Sequence, residues 1–573
     1  MTSEKIQKTA RIYALQNAVL FNGKADGKAV TGKVIAALKN ESFSPKDIVP
    51  VVRAVTDEVN RLTPEQQIKE LTKLAPDLLH KEKKERDFSL PELPHAENGK
   101  VVTRFPPEPN GYLHIGHAKA AIIDHEYARL YDGRFILRFD DTNPENEQEM
   151  FYEVQREDLR WLGITWDKEY NTSDNLETHY RLAEQLIHQG HAYMCDCVSE
   201  VVKDGRFHGK PCKCRSISPG ETGDHWKEML TSGELTGAIL RLKGDLKSAN
   251  TAMRDPTLFR VIETPHPLKG TRYRVWPTYD FAGAVEDSIS GVTHPFRTKE
   301  YELRDEVYFY ILSLLNLRKP FLMEFARLSI QGMPVSKRKI KPLIENGQVS
   351  GYDDVRLPTL RGLQRRGIVA EAIKQFVLSQ GISKAESEVS FSLVEAMNRK
   401  ILDPLSKRYF FVPNPVKLTV KDAPERTVHL KMHPTMDFGE RILTTNTTFF
   451  IPQGDVDELK MGDVFRLKDL LNVRLIKKGE ELVGEYAGGK PLTDTPKIQW
   501  TTENHKKMKL FIPGLLFDAN EVYNPGSLQE VDGFAENAVS QVKTGEIIQC
   551  ERIGFVRVEH AKNGDITGFF AHK

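Results

Sequence analysis

At 573 residues the chain is too long for one hydrophobic core, because single cores stop growing at roughly 250 to 300 residues, and about three to five domains are expected. A hydrophobic content of 39% with 28% charged residues excludes the disordered and fibrous classes and describes an ordinary globular protein. Lys+Arg 81 against Asp+Glu 80 excludes a polycation that coats any nucleic acid, so contact with RNA has to come from local basic patches.

The opening stretch, MTSEKIQKTARIYALQNAVLF, has early charge and no apolar run followed by a small-residue cleavage site. No run of about 18 apolar residues occurs anywhere, and a cytoplasmic protein without a membrane partner is expected. Ile6, Ala10, Tyr13, Ala14 and Val19, then Val51, Val52, Val55, Val59 and Leu62, recur at helical spacing, which predicts a small helical domain over residues 1–80. Gly27 to Val34 reads GKAVTGKV and has P-loop spacing, but Val34 stands where a hydroxyl has to hold magnesium, and no strand leads into it. Phosphate binding is not expected there. Residues 81–100 are charged, then proline-bearing, and poor in core residues, as a linker is.

From Val101 the texture changes to VVTRF, AKAAIIDHEYARLY, RFILRF and EMFYEVQREDLRWLG. Strand, helix, strand, helix implies a parallel α/β domain. Four of the five cysteines, Cys195, Cys197, Cys212 and Cys214, then fall close together as CDC and CKC, while Cys550 stands alone. Two thiol pairs in a loop rich in Gly, Lys and Pro suit a metal in a reducing compartment better than a disulfide framework. Tetrahedral zinc closes such a loop without a core, and four cysteines leave no open position for a substrate, so the zinc is expected to be structural. Free or redox thiols are the alternative. From Leu418 onward, runs such as TVHLKM, TTFFIP, VRLIKK and ERIGFVRVEH alternate apolar and polar residues between Gly, Asp and Pro, which predicts an all-β region built as barrels.

The densest chemistry lies in RFPPEPNGYLHIGHAKAA, Arg104 to Ala121, where a strand end and a proline-rich turn place His114-Ile115-Gly116-His117 at the mouth of a predicted helix. A helix N-terminus offers unpaired N–H groups and a positive dipole end to phosphate. The two histidines, three apart, share one face of the first turn, where both can donate to phosphate oxygens. Gly116 leaves the backbone bare for a flat ring. Far downstream, ARLSIQGMPVSKRKI puts Pro334, Val335, Ser336, Lys337 and Arg338 in a loop carrying Gly and Pro, where a mobile ammonium suits a departing pyrophosphate.

Together these segments resemble the two signatures of the class I aminoacyl-tRNA synthetases, the HIGH motif and the KMSKS loop, in the same order. The first is a literal match. In the second, Pro334 replaces the first lysine and Arg338 the last serine, which shifts more of the expected work to Lys337. The longer phrases RFPPEPNGYLHIGH, LRFDDTNP, YDFAGAVEDSISGVTH, VSKRKI and GYDDVRLPTLRGLQRRGI resemble the glutamyl/glutaminyl subclass, and the leading helical segment resembles the N-terminal domain of its archaeal glutamyl members.

The resemblance implies a multidomain α/β and β protein. A Rossmann-type catalytic domain in two parts, 101–174 and 279–335, would be split by an acceptor-end-binding insertion, 175–278, that holds the cysteines. A helical stem-contact domain, 336–400, and β-barrel anticodon-binding domains, 401–573, would follow. The implied reaction is ATP-dependent ligation of L-glutamate to tRNA(Glu) through a glutamyl-adenylate, with Mg2+ beside the ATP. His114, His117 and Lys337 would stabilise charge on the phosphates, and Pro106, Gly116, Arg327, Leu328 and Ser336 would complete the ATP site.

The amino-acid positions that match are Arg104, Asp140 and Tyr279. An ammonium group needs an anion such as Asp140, and Arg104 can hold a carboxylate or polarise a carbonyl. Arg297, in GVTHPFRTKEY, matches a position where glutaminyl members tend to carry a small uncharged residue and glutamyl members an arginine; a second fixed cation suits a second carboxylate. Glu108 and Asn110 look glutaminyl-like, so glutamine and tRNA(Gln) stay as the alternative. The segments around RGLQRRG and NRKILDPLSKRYFF combine cations with aromatics, as RNA contacts do, and Arg365, Arg366 and Arg399 are the expected tRNA contacts. A monomer is expected. A synthetase-like scaffold or modification enzyme is the remote alternative, and shortened relatives of that kind usually lack the anticodon region that this chain keeps.

Overall fold

Four helices account for the apolar spacing near the start of the chain: α1 (Thr2–Leu20), α2 (Gly27–Ala37), α3 (Pro45–Val59) and α4 (Pro64–Leu74). They bury Ile6, Ala10, Ala14, Val30, Val34, Val52, Val55 and Val59 against one another, within a unit that spans Met1–Asp87, distinct from a second, Phe88–Lys573. The computed structural model describes residues 2–20, 23–38, 45–75, 78, 90–231, 235–334, 337–386, 388–518, 520–562 and 565–573. Polar side chains start two of these helices. Asp26 caps α2 by accepting from the Ala29 N–H, and Thr63 with Gln66 forms a reciprocal capping box on α4. The GKAVTGKV stretch is the body of α2, with Val30 and Val34 fully buried, so it is core helix and not a phosphate loop. Of the expected linker, residues 81–89 lie outside the described residues.

In the second unit, β1 (Val102–Phe105), α5 (Ile115–Leu130), β2 (Arg134–Phe139), α6 (Glu149–Trp161) and β3 (Lys168–Asn171) follow in order. The strands pair in parallel as β1-β2-β3, with Arg104 opposite Ile136 and Leu137 opposite Glu169. All four residues of β1 are buried, as expected of a parallel strand covered on both faces. Next come α7 (Leu176–His188), β4 (Ala192–Cys195), α8 (Ser199–His208), α9 (Pro219–Thr231), β5 (Ile239–Leu242), β6 (Thr257–Val261) and β7 (Val275–Pro277). Here the sheet is antiparallel, β4-β5-β6-β7, and its core, with Trp226, Leu240 and Phe259, is continuous with Phe281, Val285, Val307 and Ile311 from farther along the chain.

The chain then returns to the first sheet. After α10 (Tyr279–Ile289), the Thr293 N–H donates to the Val102 carbonyl at 2.8 Å and the Val102 N–H donates to the Thr293 hydroxyl at 2.8 Å. Beyond this seam β8 (Phe296–Thr298), α11 (Asp305–Leu314) and β9 (Met323–Phe325) repeat the strand–helix–strand unit, β8 and β9 being parallel. A short parallel pair, β10 (Ser329–Ile330) and β11 (Glu388–Val389), brackets α12 (Lys337–Glu345), α13 (Leu360–Arg366) and α14 (Ala370–Gln380), and α15 (Ser392–Leu402) follows.

Two large β-sheets and a two-stranded antiparallel ribbon, Arg426–Lys431 with Glu440–Thr445, complete the unit. The six-stranded one closes where Phe450 and Thr501 exchange N–H···O bonds of 2.8 and 3.0 Å. The seven-stranded one begins with Arg408–Tyr409 and ends with Phe411–Pro413, which are neighbours in the chain, so its order also closes. Both are barrel-like, as the alternation of apolar and polar residues predicts, and closure removes the open edges that invite pairing with other chains. Among the described residues no helix is long and apolar enough to cross a membrane.

Candidate active site

The two signature histidines cap their own helix. His114 is the N-cap of α5, with φ −124° and ψ 173°. Its Nδ1 accepts the Gly116 N–H at 3.1 Å, the His117 Nδ1 accepts the His114 N–H at 3.2 Å, and the rings stack with centroids 3.8 Å apart. With both Nδ1 lone pairs used as acceptors, the ring hydrogens belong on Nε2. Burial, then the neighbouring His117 and Arg327, holds His114 well below the usual histidine range. Burial and Arg327 push His117 down to about 4. Both rings are therefore neutral Nε2–H donors at physiological pH. Gly116 is required by the same geometry, since a Cβ there would lie 2.9 Å from Cε1 of His114.

Segments from far along the chain hold this turn in place. The Ile115 N–H donates to the Pro358 carbonyl at 2.9 Å and the Leu360 N–H to the Leu113 carbonyl at 2.9 Å. Buried Lys119, on α5, donates to the Ala326 carbonyl at 2.8 Å, next to Arg327 and Leu328. Gln155 of α6 donates to the carbonyls of Glu108 and Gly111, each at 2.9 Å. The result is a cleft of about 270 Å³ lined by Pro107, His114, His117, Arg327, Tyr352 and others. Arg327 is exposed and pairs with Glu300, Leu328 is buried, and Pro106 is half-buried behind β1. Ser336 lies outside the described residues. Lys337 opens α12, but its side chain is also outside them.

The four expected amino-acid residues lie near one another, Arg104 and Arg297 buried and Asp140 and Tyr279 half-buried. The Tyr279 hydroxyl, raised first by burial, also feels Arg297, Arg104 and Asp140. Asp140 is fixed through its N–H to the Pro107 carbonyl at 2.9 Å and by the Thr172 hydroxyl at 3.1 Å; burial raises its carboxyl against the pull of Arg138. Arg104 is buried, being 2% exposed. It pairs with Asp287 at 2.9 Å and donates to the Phe296 carbonyl at 2.9 Å.

Sequence reasoning missed Asp287. This carboxylate also takes Arg138 at 2.8 Å and the Tyr308 hydroxyl at 3.1 Å. Burial alone would raise it, but Arg104, Arg138 and Arg297 hold it down at about 2. Adjacent acids, Glu286 and Asp287, following the small and apolar run FAGAV on α10 were the available signal. Arg297 stacks on Tyr308 at 4.2 Å and has a buried Nε with no hydrogen-bond partner among the described residues.

The four clustered sulfurs all lie within 4.8 Å of one another. Cys195 and Cys212 are 3.9 Å apart, and Cys197 and Cys214 are 3.6 Å apart. Sulfurs about 2.3 Å from one tetrahedral centre sit about 3.8 Å apart, so the spacing fits zinc. The Arg241 guanidinium points at Cys195 and Cys212, 4.0 and 3.8 Å away, which favours thiolates.

Of the expected tRNA contacts, Arg399 is exposed on α15. Arg365 is tied to Glu559 at 2.9 Å and Asp353 at 3.1 Å. Arg366 needs correction: it is 5% exposed, pairs with Glu395 at 2.7 Å and donates to the Ala571 carbonyl. Its charge is spent inside the protein, since exposing it to RNA would strand Glu395 and that carbonyl.

Comparison with known proteins agrees with this layout. The family described as "tRNA synthetases class I (E and Q), catalytic domain" matches residues 100–404, and two anti-codon binding domain families of the same class match 406–487 and 497–559. A glutamate–tRNA ligase of Nitrosopumilus maritimus (strain SCM1) is 44% identical, covering 100% of both chains. Those of Cenarchaeum symbiosum (strain A) and Pyrococcus abyssi (strain GE5 / Orsay) are 42% and 39% identical, covering 96% and 99% of this chain and 97% and 100% of theirs.

Proposed function

The chain belongs to the class I tRNA synthetases for glutamate and glutamine, and from that membership we infer a glutamate–tRNA ligase that uses ATP. The observation that favours glutamate over glutamine is Arg297, a buried guanidinium with an unsatisfied Nε beside Tyr279. Asp305 meets that guanidinium only through Nη1 at 3.2 Å, so a γ-carboxylate gains a charged pairing that a neutral amide cannot match. Charging total tRNA with labelled glutamate and labelled glutamine side by side tests the reading. Glutamate should be incorporated, and a preference for glutamine would sink it.

In the proposed first step an α-carboxylate oxygen of glutamate attacks the α-phosphorus of ATP. The new P–O bond forms as the bond to the β-phosphate bridging oxygen breaks, and pyrophosphate leaves with that electron pair. His114, His117 and Arg327 line the cleft where this charge would move; the two histidines, held by the helix cap, would donate through Nε2–H with little reorganisation, and Arg327 would add a cation. The helix N-terminus behind them adds a positive dipole end. Mg2+ carried with the ATP would neutralise charge on the phosphates. Asp140 would hold the substrate ammonium, and Arg104, oriented by Asp287, the carboxylate end. In the second step a hydroxyl of the tRNA 3′-terminal ribose attacks the acyl carbon, AMP departs, and its phosphate takes up the hydroxyl proton.

The antiparallel segment with the cysteines would receive the acceptor end, the helices around α13 to α15 the stem, and the barrels the anticodon, with Arg399 one contact; tRNA(Gln) is a second substrate to test. The protein would act in the cytoplasm as a monomer. Cys195, Cys197, Cys212 and Cys214 would hold one zinc that closes the segment after β4. Metal analysis should find one zinc per chain, and Cys195→Ser with Cys212→Ser should lose it and lower the melting temperature. Protein washed with chelator that holds no metal and melts unchanged would remove the assignment.

A further inference from the structure

Arg297 has a resident counter-ion. Its Nη1 lies 3.2 Å from Oδ1 of Asp305, the first residue of α11, and the two side chains are 3% and 26% exposed. On β9 the register partner of Arg297 is Glu324. Glu324 is nearly buried, its Oε1 is without a hydrogen-bond partner among the described residues, and its other oxygen is taken by Lys384. Lys384 also reaches Glu302 at 3.6 Å. The charged groups around Asp305 are thus Arg297 from β8, Glu324 from β9 and Lys384 from the turn after α14, with Tyr308 one turn along its own helix.

We propose that Asp305 sets how strongly the pocket prefers glutamate over glutamine, acting as a positioning residue that partly cancels the charge of Arg297. This rests on the reading that Arg297 meets the substrate γ-carboxylate. A guanidinium already paired with an ionised Asp305 attracts a second carboxylate less than a bare one does, whereas a neutral amide is nearly indifferent to the difference. Asp305 in turn keeps the buried cation paired when the pocket is empty, so selectivity is traded against stability of the free protein.

The substitution Asp305→Asn isolates the charge, because the amide oxygen can still accept from Nη1. It should raise the ratio of kcat/KM for glutamate to that for glutamine on the order of tenfold, mainly through a lower KM for glutamate, and lower the melting temperature. Protonation does the same in the native chain. Burial raises the Asp305 carboxyl, Arg297 opposes this and Glu324 adds to it, leaving it at about 6. The native ratio should therefore climb between about pH 7.5 and about pH 5.5 as the charge is lost, while that of Asp305→Asn stays flat.

Both ratios are measured on the full chain with tRNA present, beside Arg297→Ala. A ratio that is unchanged or lower in Asp305→Asn, while Arg297→Ala abolishes the preference, overturns the role of Asp305 and spares that of Arg297. A preference that survives Arg297→Ala overturns the underlying reading instead. If Asp305→Asn does not fold, Asp305→Ser, which also removes the charge and keeps an acceptor, decides, and an unchanged or lower ratio in it rejects the proposal.

Discussion

Arg297→Ala should cut kcat/KM for glutamate by roughly a hundredfold to a thousandfold, about 3–4 kcal/mol of transition-state stabilisation. Glutamate and glutamine differ by a carboxylate against an amide of nearly equal size, so shape cannot separate them and charge has to. In Arg297 that charge sits on a side chain 3% exposed, clamped over Tyr308 and anchored by Asp305. Its worth to a ligand carboxylate is then far above that of a solvated pair. Glutamine should lose much less, so the two substrates converge. Arg129, whose pair with Asp167 is 42% and 37% exposed, serves as the control, and Arg129→Ala should change neither. Normal glutamate charging by Arg297→Ala would reduce Arg297 to a structural ion-pair residue.

His114→Ala and His117→Ala should each slow pyrophosphate exchange by roughly a hundredfold to a thousandfold in kcat, the usual cost of removing one preorganised donor, with little change in KM for ATP. A variant with unchanged kcat and only a raised KM would contradict the role. Each loss also removes half of a reciprocal helix cap, worth about 1 kcal/mol, so thermal melting separates the two effects; His114→Asn, which keeps a capping side chain, should recover stability more than rate. The pH dependence has a definite sign. A histidine whose folded value is depressed stabilises the fold fully above the unfolded value, and that contribution is lost as pH falls toward the folded one. His117 at about 4 should therefore cost stability between about pH 6.5 and pH 4, and exchange should show no histidine titration at neutrality.

What could be read from the sequence was whatever local patterning dictates. Helical spacing of Ile6, Ala10, Val52 and Val55, the change of texture at Val101 and the strand alternation beyond Leu418 all reappear as elements of the expected type. The HIGH turn was legible because its chemistry lies in consecutive residues. The neutral state of its histidines was not, because it depends on burial and on Arg327 from far downstream. Asp287 and Asp305 were missed for the same reason: each matters through a partner on another element. Arg366 was misread because RGLQRRG looks like a solvated cationic run, yet it follows Leu363 by three positions and Leu360 by six, on the face that α13 buries.

The seven-stranded barrel depends on a strand made later than the strands beside it. Strand Asp565–His572 lies between Gly554–Lys562 and His505–Pro513, and its end grips α13 through the Ala571 carbonyl and α15 through the bond between His572 and Asn398 at 2.8 Å. A ribosome delivers these residues after all their partners. Until they emerge, the strand from His505 has one unpaired flank and the helices lack their clasp, so a nascent chain arrested a few residues short exposes sheet edges of the kind that aggregate. A chain broken off there would carry an assembled catalytic sheet on an unfinished barrel, a species for cellular quality control to remove before it meets RNA.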